Sequence, residues 1–101
     1  MACRGTKIYG NSYITVCGAS TGTSTITAST VEQQYFPIQY RLYLERQDAS
    51  GWTRIASRTG QNLGSKNYDF TVSTMRRTYR IAVHFYTIGE YDYAYSPNFT
   101  H

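Results

Sequence analysis

Apolar and polar residues alternate with a period of two along most of the chain, and no window holds a helical spacing without β-branched residues or glycine interrupting it. In "SYITVCGAS", Ile14 and Val16 share one face, with Tyr13, Thr15 and Cys17 on the other. After Gly22, "TSTITASTV" reads as a threonine-rich strand that turns Ile26 and Ala28 inward. The clearest strand is "PIQYRLYLER", where Ile38, Tyr40, Leu42 and Leu44 alternate with Gln39, Arg41, Tyr43 and Glu45.

The turn "QDASG" leads into a short strand, "WTRIASR", expected to bury Trp52 or Ile55, and "TGQNLGSK" reads as a loop. "NYDFTVS" sets Tyr68, Phe70 and Val72 against Asn67, Asp69 and Thr71. "TMRR" connects it to "TYRIAVHFYT", where Tyr79, Ile81, Val83 and Phe85 oppose Arg80, Ala82, His84 and Tyr86. A tight hairpin at "IGE" enters "YDYAYS", which Pro97 ends. Tyr91, Tyr93 and Tyr95 share a face whose side is left open, because one residue of slippage at "IGE" moves all three together. Seven short antiparallel strands, with turns about every 8–12 residues, predict an all-β, two-sheet sandwich.

The length of 101 residues makes residues 1–101 a single domain, large enough to bury a core. Charged residues are 16% of the chain, well below the ~25% of an average soluble domain, and this low value with abundant Thr, Ser and Tyr suits exposed antiparallel sheets. The net charge of +4 comes mainly from arginines scattered at positions 4, 41, 46, 54, 58, 76, 77 and 80. Scattering argues against a specific nucleic-acid interface, while separate strands can still assemble a patch for an anionic polymer. Cys3 and Cys17 suggest one disulfide and an oxidising compartment, with a pair of thiols as the competing reading. No stretch approaches the ~18 apolar residues of a membrane-spanning helix. "MACRGTKIYG" has no apolar run like that of a signal peptide, so a secreted chain would be the mature form with an added Met1.

The order of "IQYRLYLE", "GWTRIAS", "YDFTVS", "TYRIAVHFYTIGE" and a final strand ending "SP" resembles strands C, C′, E, F and G of a fibronectin type III or related immunoglobulin-like sandwich, over about residues 38–97. Tyr79 in "RTYRIAV" matches the tyrosine such domains bury at the start of strand F. The chain departs from that pattern in having "TMRR" before the tyrosine, and Trp52 after strand C rather than in strand B. "ITVCGAS", "LYLERQDASGW" and "TYRIAV" also resemble small secreted single-domain proteins of Gram-positive bacteria. That resemblance implies a seven-stranded immunoglobulin-like fold and an extracellular location.

Candidates for chemistry are few. Asp48 is expected to cap its own turn, while Glu45 and Asp69 occupy solvent-facing strand positions. Glu90 and Asp92 stand at i, i+2 with neither His nor a third acid nearby. Neither His84 nor His101 has a metal-ligand partner at strand spacing, and no glycine motif cradles phosphate, so neither cofactor nor metal nor enzyme activity is expected. A binding surface is the stronger reading. If the strands matching C and F are neighbours, Arg41 and Tyr43 join Arg80, His84 and Tyr86, and the last strand adds either Asp92 or the row of Tyr91, Tyr93 and Tyr95, of which Tyr93 is the candidate. The expected role is a secreted module that recognises a protein or glycan on a cell surface. The alternatives are a small cationic antibacterial effector and self-association through the edge strand "YDYAYS".

Overall fold

The computed structural model describes residues 2–9, 12–33, 38–62, 64–85 and 92–101. They form nine strands: β1 (Ala2–Tyr9), β2 (Ser12–Gly22), β3 (Thr25–Gln33), β4 (Ile38–Asp48), β5 (Gly51–Asn62), β6 (Gly64–Thr71), β7 (Thr78–Phe85), β8 (Asp92–Tyr95) and β9 (Phe99–Thr100). One antiparallel sheet has the order β1-β2-β3-β6, and the other runs β5-β4-β7-β8, with β9 also pairing with β7. The all-β architecture of two packed sheets is as the alternation predicts; the strand count of seven is not what the described residues show.

Two elements account for the difference. β1 lies in the N-terminal stretch, where the alternation predicts no strand, and it pairs with β2 through a register that sets Cys3 opposite Cys17. β9 extends the last strand beyond Pro97. Proline has no N–H to give the ladder, and Ser96 fills the gap: its N–H bonds the Ile81 carbonyl, and its hydroxyl accepts from the Ile81 N–H at 2.9 Å. The chain then rejoins β7, pairing Phe99 with Tyr79.

Between the sheets lie Ile14, Val16, Ile26 and Ala28 from β2 and β3, Tyr68 and Phe70 from β6, and Tyr40, Leu42, Leu44, Tyr79, Ile81, Val83 and Ala94 from the second sheet. All but Ala94, whose side the sequence leaves open, are inward residues of the period-two pattern; the side chains of Ile38 and Phe85, also expected inward, lie outside the described residues. A tyrosine buried this completely must satisfy its hydroxyl. The Tyr40 hydroxyl lies 2.6 Å from that of Tyr68 and 3.2 Å from Thr30 Oγ1, so one polar chain ties β3, β4 and β6 inside the core. The expected loop "TGQNLGSK" is largely strand among the described residues, and its Gly60 marks a close approach instead of a turn: a Cβ there would collide with the Tyr40 ring and the Tyr68 hydroxyl. A turn of Ala49 and Ser50 joins β4 to β5, and Gly51 leaves it at φ 124°, a conformation that favours glycine.

Three expectations for side chains are corrected. Ile55 is 36% exposed and Trp52 is half-buried on the outer face, so neither enters the core. A bulge opposite the Leu44–Glu45 step adds one residue to β5 and turns Ile55 out of the alternation. Asp48 does not cap its own backbone; it accepts from Arg46 Nε at 2.9 Å and from the Thr53 hydroxyl at 2.6 Å. The Arg46 hydrogen bond leads in holding the Asp48 carboxyl below its usual range, and Thr53 adds to it. The third correction, at Glu45, belongs to the outer face of the second sheet.

Candidate binding site on an outer sheet face

Register decides which outward residues meet. β4 and β7 pair Arg41 with His84, Tyr43 with Ala82 and Glu45 with Arg80. β7 and β8 pair His84 with Tyr93 and Ala82 with Tyr95. Ala94 between them is 1% exposed, in the core, so the row containing Tyr93 and Tyr95 faces outward. On the other flank, β5 sets Arg54 opposite Glu45 and Trp52 opposite Gln47. Arg41, Tyr43, Arg80 and His84 therefore share one face, and Tyr93, whose side the sequence leaves open, lies on it as well. Tyr86, Tyr91 and Glu90, together with the side chain of Asp92, lie outside the described residues.

The alternation places Glu45 in solvent, yet it is 5% exposed although it points outward. Arginines cover it from both neighbouring strands. Arg80 Nε donates to Oε1 at 2.8 Å and Arg54 Nε to Oε2 at 3.2 Å, so one carboxylate holds two guanidinium groups by their Nε atoms. Aromatic rings hold the same two cations in place. Arg80 lies over the Trp52 ring at 4.2 Å and the Tyr95 ring at 4.4 Å. Arg54 lies over Tyr43 at 4.1 Å and its Nη2 donates to the Tyr93 hydroxyl at 3.0 Å. That hydrogen bond leads in raising the Arg54 pKa above its ordinary value, against a cost from burial. The His84 ring stacks on Tyr93 at 4.4 Å, and the two planes differ by 9°.

The face is therefore two rows. Trp52, Arg80 and Tyr95 form one, and Tyr43, Arg54, Tyr93 and His84 the other, with Glu45 between them. Among the described side chains it carries the cations Arg41, Arg54 and Arg80 against the single carboxylate of Glu45. Beside it, at the bulge, is an open recess of about 280 Å³ lined by Tyr43, Arg54, Ile55, Ala56 and Ser57.

Sequence reading missed Trp52, Arg54 and Glu45 as members of this face, and left the side of Tyr95 open with that of Tyr93. The signal was present in part: Trp52 and Arg54 stand two apart in "WTR", and Glu45 shares the parity of Arg41 and Tyr43. What alternation could not supply was the bulge, which sets the phase of β5 against β4.

Elsewhere, Asp69 accepts from the Thr27 hydroxyl at 2.7 Å on the outer face of the first sheet. Among the described residues no group of three His, Cys, Asp or Glu side chains comes together as a metal site. Cys3 and Cys17 form a disulfide between adjacent strands of one sheet, with Cα atoms 4.1 Å apart. No helix of the described residues is long and apolar enough to cross a membrane. Comparison with known protein families, curated proteins and solved structures finds no match to this chain.

Proposed function

We propose that the protein is a binding module that engages a cell-surface or extracellular partner through the outer face of the β5-β4-β7-β8 sheet, and that its role is recognition and not catalysis. One observation carries this reading: Glu45 fixes Arg54 and Arg80 by their Nε atoms while aromatic rings fix their planes, leaving the Arg80 terminal nitrogens without a bond to any described residue. A surface organised in this way binds at low entropic cost, because the side chains that make the contact are already ordered. Tyr, Trp and Arg are also the residue types that dominate the energy of protein interfaces.

A secreted, immunoglobulin-like module is the setting that fits best. The order β2-β3-β6 facing β5-β4-β7-β8 supports this reading, in which they would serve as strands A-B-E and C′-C-F-G of a fibronectin type III-like domain with β1 as an added edge strand. The disulfide is compatible with an extracellular protein. The test is capture on combined glycan and extracellular-protein arrays, comparing wild type with Arg41→Ala/Tyr43→Ala. The double variant keeps its melting temperature and loses the captured partner. If every interaction survives the double change, the sheet face is not the site.

A further inference from the structure

Arg80 is held firmly by its neighbours and still has donors to give. Its Nε is bonded to Glu45, and the rings of Trp52 and Tyr95 lie against its guanidinium. Tyr95 is itself stacked on Tyr93, with centroids 5.8 Å apart and planes 11° from parallel, and Tyr93 is stacked on His84. The cation therefore belongs to an aromatic ladder that crosses the sheet. The other N–H groups of a guanidinium are on its terminal nitrogens, and in Arg80 these donate to no described residue. Arg54 differs, because its Nε goes to Glu45 and its Nη2 to the Tyr93 hydroxyl.

Rings against a guanidinium take the place of water on its planar faces, so its remaining hydration is at the edge. The end of the fork carries paired N–H groups whose spacing matches two oxygens of a carboxylate or a sulfate. Nε is turned to the buried Glu45, and the Arg80 side chain keeps 23% exposure, which leaves its terminal end for a ligand.

The make-up of the face decides between protein and glycan. A protein partner is anchored by apolar side chains at the core of the interface, where carboxylates are depleted. Here Glu45 occupies the centre, and the outward residues of β4 and β7 that pair across it include no aliphatic side chain larger than Ala82. The tyrosine rings are already engaged with cations or with one another. With Arg41, Arg54 and Arg80 set against one carboxylate, the face attracts a polar ligand of negative charge. Trp52 suits a sugar. No described ring stacks on it, Arg80 is the cation against it, and it is half-buried on an edge strand, so ring surface is left for the apolar face of a pyranose.

We propose that this face binds an acidic glycan, in which a sulfate or carboxylate on one sugar accepts from the Arg80 terminal nitrogens while a neighbouring sugar lies against Trp52. This rests on the reading of the face as a recognition surface and names the ligand class as acidic carbohydrate and not protein.

Trp52 is the single tryptophan, so its fluorescence reads the site directly. The titrants are a sulfated heparin fragment, its desulfated form, which keeps the carboxylates, a neutral dextran fragment of equal length, and an all-Glu peptide as the protein counterpart. The sulfated fragment changes the Trp52 emission, binds about tenfold or more tightly than the dextran fragment or the peptide, and weakens as salt is raised. Binding of the desulfated form as well shows that a sugar carboxylate suffices; binding of the sulfated form alone assigns the anion as a sulfate ester. Arg80→Lys keeps the charge beside Glu45 but loses the fork, and weakens the sulfated fragment by about tenfold with the melting temperature retained. Arg76→Ala, which removes one charge from an exposed loop, leaves the affinity unchanged. Equal losses in the two variants mark general attraction to a basic protein and overturn the proposal. So does a peptide that binds as tightly as the sulfated fragment, or a Trp52 emission that no acidic oligosaccharide changes, and these wild-type titrations decide the matter even if Arg80→Lys is unstable. If the acidic oligosaccharides fail while array capture still depends on Arg41 and Tyr43, the glycan assignment falls and the sheet-face reading stands; loss of both removes both.

Discussion

Single residues in this protein are fixed by what they must leave room for, or must satisfy, in addition to their hydrophobicity. Gly60 shows the first case. Its neighbours across the sheets are the Tyr40 ring and the Tyr68 hydroxyl, and any Cβ there overlaps them. Gly60→Ala is expected to destabilise the fold by about 2–3 kcal/mol, the cost of overpacking a well-filled core, read as a lower midpoint of denaturant unfolding with unchanged slope. An unchanged midpoint would mean that the Tyr40–Tyr68 pair can move aside. Sequence alone gave "TG" in that stretch the look of a turn, because glycine marks both turns and close approaches, and local pattern does not separate them. Glu45 shows the second case. Its outward parity was legible from the sequence, but its burial was not, since that depends on arginines from β5 and β7, 9 and 35 residues away.

At the scale of elements, alternation was a sufficient guide where a strand is half-buried and regular. β2, β3, β4, β6 and β7 turn inward the residues that their pattern predicts, because a period of two maps directly onto two faces. It failed where pairing is interrupted. The bulge in β5 reset the phase between Arg54 and Ala56, which hid Arg54 and Trp52 from the candidate site and exposed Ile55. The pairing of β9 beyond Pro97 depends on the Ser96 hydroxyl taking a ladder position, and period-two counting carries no sign of such a substitution. β1 was missed for a different reason: as an edge strand with several polar and glycine positions, it has little alternation to read. Its attachment makes a direct prediction. The Cys3–Cys17 bond closes a segment of 14 residues between neighbouring strands, for which chain entropy implies about 3 kcal/mol. Reduction should lower the melting temperature and speed amide exchange in β1 ahead of β3 and β7. Uniform exchange across all strands would show that β1 is held without the disulfide.

Across the whole molecule, the two sheets have outer faces of different chemistry. On the first, short polar groups satisfy one another, as in the Thr21–Thr27 and Ser29–Asn67 pairs and the Thr27–Asp69 bond. On the second, Trp52, Tyr43, Tyr93 and Tyr95 support Arg54 and Arg80 around one buried carboxylate. This asymmetry is the basis for proposing that the second sheet is the recognition face, and Trp52, the single tryptophan of the chain, lies on that face as a reporter. The most direct test is NMR chemical-shift mapping of the 15N-labelled protein against the partner captured on the arrays. The account predicts that the Trp52 indole N–H, the Arg54 and Arg80 Nε–H groups and the amides of β4, β5, β7 and β8 around them move most. Shifts confined to β1, β2, β3 and β6, with the Trp52 indole unmoved, would contradict it.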